Sequence, residues 1–406
     1  MKPSQLSLNW SLVDQAAVSA INFLTIFLGA YFLEVGEQAK LAFFYIFLIA
    51  TSLFNAAFYF ASVPFLKNKW GPRPNYLASL SYLSFRLVLP VAFLIAIASF
   101  FTSGFSNWNM SWLDFSLVFL NLALFLYFEF YRRSQYFFGS TLYAAKSSIL
   151  IGVARLLLIV VFSPESINQF LTITVISYLV VVFPTWNKSD KKSDVDFNLI
   201  RQHIVYSKWS ISNIVPQWIA IHSPVVLAGF FVEAKVIAIL LTLRSVTSVF
   251  NVVLELFDTY LSSKLGKLMA NGESMMPYRF LKKIYAAGIL LGIVIGVLIY
   301  IYGEAVLKAS IGIEYSKHWF LLMLFWIGNV LYFVGRLSAI SLRVKGGPLY
   351  EFMGSLVGSF VVMALMLLID SFSIYSFAVV LIFSQLALVL TQLLIPLAYP
   401  TKYYEQ

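Results

Sequence analysis

Apolar residues in this chain come in blocks of about 20, separated by short polar connectors, and nothing else in the sequence narrows the fold as much. At a rise of about 1.5 Å per residue, a helical block of that length crosses a hydrocarbon core roughly 30 Å thick. No water reaches such a core to satisfy backbone N–H and C=O groups, so only helices and closed barrels can span it. A barrel needs ten-residue segments of alternating polarity, and the sequence has none. Helical spans are predicted near 13–33, 41–66, 77–101, 111–130, 142–162, 168–186, 205–231, 236–261, 284–303, 318–342, 349–369 and 375–398. The predicted fold is all-α and integral to the membrane, with about 12 transmembrane helices and no sizeable domain outside the bilayer.

Composition agrees. Of 406 residues, 60% are hydrophobic and 11% charged, too few charges to cover a soluble surface of this size. The first block is too long for the apolar stretch of a cleaved signal peptide and reads as a retained signal anchor. With no cysteine there is neither a disulfide framework nor a thiol-ligated metal. If the N-terminus is inside, 20 lysines and arginines fall on cytoplasmic ends and loops, Arg132, Arg133 and Lys146 among them. Only Lys40, Lys235, Lys308 and Lys317 fall opposite, which predicts both termini in the cytoplasm. That bias and anionic lipid account for the net charge of +10, so nucleic acid is not an expected partner.

The chain also repeats itself. Trp10-Ser11-Leu12 matches Trp209-Ser210-Ile211, and Phe32-Leu33-Glu34 matches Phe231-Val232-Glu233, both at an offset of 199. After a gap in the first external loop, Thr51-Ser52-Leu53-Phe54-Asn55 matches Thr247-Ser248-Val249-Phe250-Asn251 at an offset of 196. The predicted halves are residues 1–200 and 201–406, six helices each. An even number preserves orientation, so the halves are parallel repeats, an arrangement in which transporters place substrate between the halves. Duplication kept only for packing is the other reading.

Charges inside spans cost about 2.5–3.5 kcal/mol at the helix centre and persist where they meet water, a partner or a ligand. Arg86, Arg155 and Arg244 lie deep, whereas Arg336 is near enough to the inner surface to snorkel. Arg244, Ser248, Asn251, Glu255, Asp258 and Ser262 recur on one helical face. The repeat equivalents in the second span are Leu48, Ser52, Asn55, Tyr59 and Ser62. The first span carries Gln15, Asn22 and Thr25 with Asp14 beside them, and the seventh carries Ser210, Asn213 and Gln217. Such stripes predict a central polar cavity between the halves; interhelical hydrogen bonding is the alternative. Gly288-Gly292-Gly296 and Gly354-Gly358 mark close helix packing. His203, His222 and His318 lack metal-ligand spacing and no nucleotide-binding loop is present, so no cofactor, metal or direct ATP drive is expected. With no long external loop to carry catalytic groups, an enzyme is not expected either.

Trp10, then Asp14-Gln15, a first span ending in Glu34 and Gly36, and a second ending at Pro64 resemble the start of bacterial polysaccharide exporters of the Wzx flippase type. These belong to the superfamily of multidrug, oligosaccharidyl-lipid and polysaccharide exporters, and the restart at Trp209 fits that group too. The resemblance implies a MATE-like pair of six-helix repeats in the bacterial cytoplasmic (inner) membrane. It implies a flippase for undecaprenyl-pyrophosphate-linked oligosaccharide, an O-antigen or capsule repeat unit, working by ion-coupled alternating access with Glu255 and Asp258 as coupling groups. Implied partners are the lipid-linked oligosaccharide, membrane lipids, a polysaccharide polymerase and a chain-length regulator. Arg86, Arg155 and Arg244 suit such a cargo, since guanidinium forks bind phosphate well. A drug exporter would share the fold with fewer deep arginines; a polymerase or ligase would need the large external loop missing here. A reporter fused after Gln406 that is active only in the cytoplasm is the expected topology result; activity outside the membrane would overturn it.

Overall fold

A computed structural model describes residues 3–55, 58, 74–103, 108–137, 141–186, 195–247, 276–310, 312–346, 349–369 and 373–398. The described residues form helices and no strand. They are α1 (Pro3–Phe32), α2 (Val35–Asn55), α3 (Pro74–Ser103), α4 (Trp112–Phe137), α5 (Thr141–Phe162), α6 (Ile167–Trp186) and α7 (Phe197–Ser212). Then follow α8 (Ile214–Phe231), α9 (Ala234–Thr247), α10 (Met276–Ser310), the single turn α11 (Ile313–Ser316), α12 (Trp319–Gly346), α13 (Leu349–Leu368) and α14 (Ile374–Ala398). Ten of these are long and apolar enough to cross a membrane, and the chain is a multi-pass membrane protein.

Local chemistry sets several helix ends. Ser111 and Asp114 form a capping box at the start of α4: the Asp114 carboxylate accepts the Ser111 N–H at 2.7 Å, and the Ser111 hydroxyl accepts the Asp114 N–H at 3.2 Å. Asp196 caps α7 by accepting the N–H groups of Asn198 and Leu199. That cap starts a helix at Phe197, within the stretch that the sequence leaves between the predicted spans 168–186 and 205–231. The predicted seventh span is correspondingly split at Asn213, three residues before Pro216, whose ring cannot donate the next helical bond. Pro224 likewise leaves the Ala220 carbonyl without its helical donor; the Ser384 hydroxyl of α14 supplies one at 2.8 Å. The predicted ninth span is longer than expected: α10 has 35 residues, about 52 Å, so it runs beyond the hydrocarbon.

The chain divides into two compact units, one of Met1–Asn55 with Arg73–Ile204, the other holding Val205–Gln406. In the first, α1 packs on α5 and α2, and α4 touches α2, α3, α5 and α6. In the second, α8 packs on α13 and α9, and α12 touches α9, α10, α13 and α14. With α7 and α11 set aside, the same ordinal pairs meet in each unit: first with fifth, second with fourth, third with fourth, fourth with sixth. The same six-helix packing plan thus recurs in the two units.

Close approach relies on glycines where the sequence predicts it. A Cβ on Gly288 would lie 2.1 Å from the Phe333 ring, and one on Gly292 2.8 Å from Val330, so α10 and α12 meet backbone to side chain. The bare Gly292 carbonyl accepts the Trp326 indole N–H at 2.8 Å. The far side of α10 exposes Leu290, Ile293, Val297 and Ile301, an apolar face suited to lipid. Gly288→Val is expected to lower the unfolding midpoint of the purified protein, at an overpacking cost of about 1–3 kcal/mol. Gly36→Ala, with nothing within 4 Å of its Cβ, is the control expected to leave it unchanged.

Candidate functional site

The first unit buries a charged network at the junction of α1, α4 and α5. On α4, Glu129, Arg132 and Arg133 stand at the spacing that puts side chains on one face. Arg132 offers Nε to Glu129 Oε1 and Nη2 to Oε2, both at 2.9 Å, and Arg133 Nε donates to Oε2 at 2.8 Å. Arg132 Nη1 then reaches across to α1 and donates to Asp14 Oδ2 at 2.5 Å. The Ser148 hydroxyl of α5 donates to the other Asp14 oxygen. Asp14 and Ser148 are fully buried and Arg132 nearly so.

One turn or two deeper lies Arg155 of α5, 2% exposed. Its Nε donates to Ser177 Oγ of α6 at 3.2 Å, and its guanidinium carbon sits 4.6 Å from the centre of the Tyr178 ring, a cation–π distance. The Tyr45 phenol of α2 also interacts with it, and with Thr25 of α1. Arg155 Nη2 is buried with no hydrogen-bond partner, and no carboxylate pairs with this arginine among the described residues. The cleft it lines also takes in Asn22, Ser148, Tyr178, Phe125 and Phe128. Its empty volume is about 250 Å³, open mouth included.

The other predicted site residues divide between the units. Arg86 is exposed on α3, its guanidinium carbon 5.3 Å from the Tyr82 ring centre. Gln15 and Asn55 are buried and Ser52 half-buried. In the second unit, Arg244 of α9 is half-buried; its Nη2 donates to the Ile221 carbonyl at 2.9 Å, beside Pro224, while Nη1 is buried without a partner. Asn213 and Gln217 are buried and meet at 3.4 Å. Arg336, predicted to snorkel, instead donates to Glu351 of α13 at 3.0 Å, because that carboxylate lies buried within its reach. Tyr59, Ser248, Asn251, Glu255 and Asp258 lie outside the described residues.

Two readings of the sequence change here. It predicts Asp14 on the wall of a wet cavity; the structure buries it, because Arg132 and Ser148 between them engage both its oxygens. It also counts Arg132 and Arg133 among the basic residues of cytoplasmic ends and loops; the structure buries both on Glu129. The signal was available as a Glu-x-x-Arg-Arg run at the end of an apolar block, where one acid three and four residues before two bases makes intrahelical pairs.

No family model and no curated protein matches the sequence. Solved structures do match. A MOP superfamily transporter from Pyrococcus furiosus, described as having a binding pocket of reversed polarity that suggests a different function, superposes with a TM-score of 0.72 at 11% identity, over 97% of this chain and 95% of that one. A multidrug resistance MATE family transporter in an outward-facing conformation gives 0.69 at 11% identity, over 98% and 96%. A MATE in a bent conformation gives 0.68 at 11%, over 98% and 97%. The fold is that of the MATE transporters.

Removing one partner of a buried pair strands the other charge and costs about 3–5 kcal/mol. Asp14→Asn and Arg132→Gln are each expected to destabilise the purified protein strongly, and the double variant by clearly less than their sum. A double-mutant cycle by thermal unfolding in detergent checks this; additive losses would show that the pair does not couple.

Proposed function

We propose that this protein is a flippase that moves an undecaprenyl-pyrophosphate-linked oligosaccharide from the inner to the outer leaflet of the bacterial cytoplasmic membrane by alternating access. The observation that carries the reading is a sorting of the arginines. Arg132, Arg133 and Arg336 are each held by a carboxylate. Arg86, Arg155 and Arg244 meet only aromatic rings, a hydroxyl or a carbonyl among the described residues. A cationic side chain left without a counter-charge in a spanning helix favours an anionic cargo, and a pyrophosphate headgroup is such a cargo. Buried amides and hydroxyls such as Asn213, Gln217 and Ser210 suit a sugar. The MATE fold supports membrane export as the class of activity, and the cargo would be an O-antigen or capsule repeat unit delivered to a polymerase and its chain-length regulator. Ion coupling through Glu255 and Asp258 belongs to the same proposal.

The likeness to a multidrug transporter favours a second reading, export of a small molecule through the same fold. Changing Arg86, Arg155 and Arg244 separately to alanine separates the two. In cells dependent on this protein for surface polysaccharide, each variant is expected to lose export at least tenfold while remaining inserted at normal abundance. Lysine is expected to restore only part, since it keeps the charge and loses the two-pronged fork. Full polysaccharide export in all three alanine variants would overturn the cargo assignment; loss of dye efflux without any effect on polysaccharide would favour the small-molecule exporter.

A further inference from the structure

The cleft beside Arg155 has a chemistry of its own. A guanidinium stays protonated at any physiological pH, so Arg155 cannot escape burial by giving up its proton. Its neighbours Asp14 and Glu129 are held by Arg132 and Arg133, and Arg155 pairs with neither. The Tyr45 and Tyr178 phenols and Ser177 interact with its guanidinium, but Nη2 is a buried charged donor without a hydrogen-bond partner among the described residues. A buried ionic group left in that condition costs several kcal/mol. The aromatic face of Tyr178 offsets only a part of that, through a desolvated cation–π contact.

The walls fit a small anion. Asn22 brings an amide that can donate, Tyr178 a hydroxyl, and Phe125 and Phe128 are rings whose edges carry partial positive charge. No acidic side chain lines the cleft among the described residues. The empty volume of about 250 Å³ includes the open mouth, and the enclosed part is far smaller, room for about one water-sized species. A sugar does not fit there. One small anion, or a single phosphate oxygen entering from the mouth, is the most it could take.

We infer that Arg155, with Asn22 and Tyr178, forms a buried site in the first unit for one small anion, whose charge the Arg155 guanidinium requires. The inference rests on unmet charge and cleft size, not on the proposed cargo, so failure of polysaccharide export in the assay above would leave it standing.

The test uses the full-length protein in nanodiscs, held at constant ionic strength while sodium gluconate is replaced by sodium chloride, sodium bromide or sodium pyrophosphate, or supplemented with farnesyl pyrophosphate. The unfolding midpoint is expected to rise saturably, by several degrees, with chloride and bromide. Arg155→Gln should abolish the rise and, in gluconate alone, should unfold no lower than wild type, because it removes the unmet charge. Lys146→Gln, an exposed position on the same helix, should keep it. A rise confined to the pyrophosphates and dependent on Arg155 would also support the site and assign its anion to a phosphate headgroup. Should Arg155→Gln fail to fold, wild-type crystals grown in bromide decide by anomalous scattering, with a peak expected against the guanidinium. No anion-dependent shift in wild type, a shift that survives Arg155→Gln, or bromide found only elsewhere would overturn the inference.

Discussion

Transfer of an ion from water into a protein interior within hydrocarbon costs several kcal/mol even after relaxation, and a backbone amide without a partner there is nearly as unwelcome. Those two penalties explain more of this structure than any stabilising contact does. They require every span to be a helix, and they require a local substitute wherever proline interrupts the ladder, as Ser384 provides for the Ala220 carbonyl. They also decide which arginines can be silent. Arg132 is tolerated because Glu129 and Asp14 surround it, and the resulting network ties α1 to α4 while Ser148 adds α5. Between helices that lipid would otherwise solvate equally well, such a network fixes register more than it adds stability.

Arg155 shows the same penalty left partly unmet. Its contacts with Ser177 and Tyr178 orient the guanidinium without neutralising it. A protein that needed Arg155 only for packing could place a neutral residue there at lower cost, as buried pairs replaced by apolar residues often show. Retaining the charge makes sense where the counter-charge arrives from outside the chain. The proposed cargo and the inferred small anion both draw on that one asymmetry.

Much of the fold was legible because its determinants are one-dimensional. Length and apolarity mark a span wherever it packs, so the predicted spans 77–101, 142–162, 168–186, 318–342, 349–369 and 375–398 reappear within four residues of the observed ends, while others start late, end early or are split. The glycine spacing of α10 found its partner, since only a missing side chain lets Phe333 sit where a Cβ would be. What stayed hidden was three-dimensional. Arg132 looks like an interfacial base until α1 brings Asp14 to it from 118 residues away. Arg336 looks free to snorkel until α13 folds back with Glu351. The depth of Arg155 could be read from its place in the block; that no carboxylate among the described residues pairs with it could not, because pairing depends on which helices are neighbours. The break at Asn213 was signalled by Pro216 and by the polar stretch before it, but the predicted span ran through both.

The two repeats show what such a duplication keeps and what it releases. Helix adjacency is kept, first with fifth and fourth with second, third and sixth, since lipid imposes the same packing demands on each unit. Charge placement is released. The offset that aligns Trp10 with Trp209 puts Asn213 where the first unit has Asp14. Asn213, at the break just before the first helix of that unit, makes a neutral contact with Gln217, so no carboxylate stands at this position. The arginine on the fourth helix of the unit, Arg336, is therefore served from the fifth, by Glu351. An ionic tie from fourth to first in one unit thus becomes a tie from fourth to fifth in the other. Both arrangements satisfy the same rule, that an arginine near the end of the fourth helix must find an acid. They join different helices, so any movement that separates first from fourth breaks an ion pair in the first unit and none of these contacts in the second. Two units built on one packing plan are in this way made mechanically unequal, by the address of a single carboxylate.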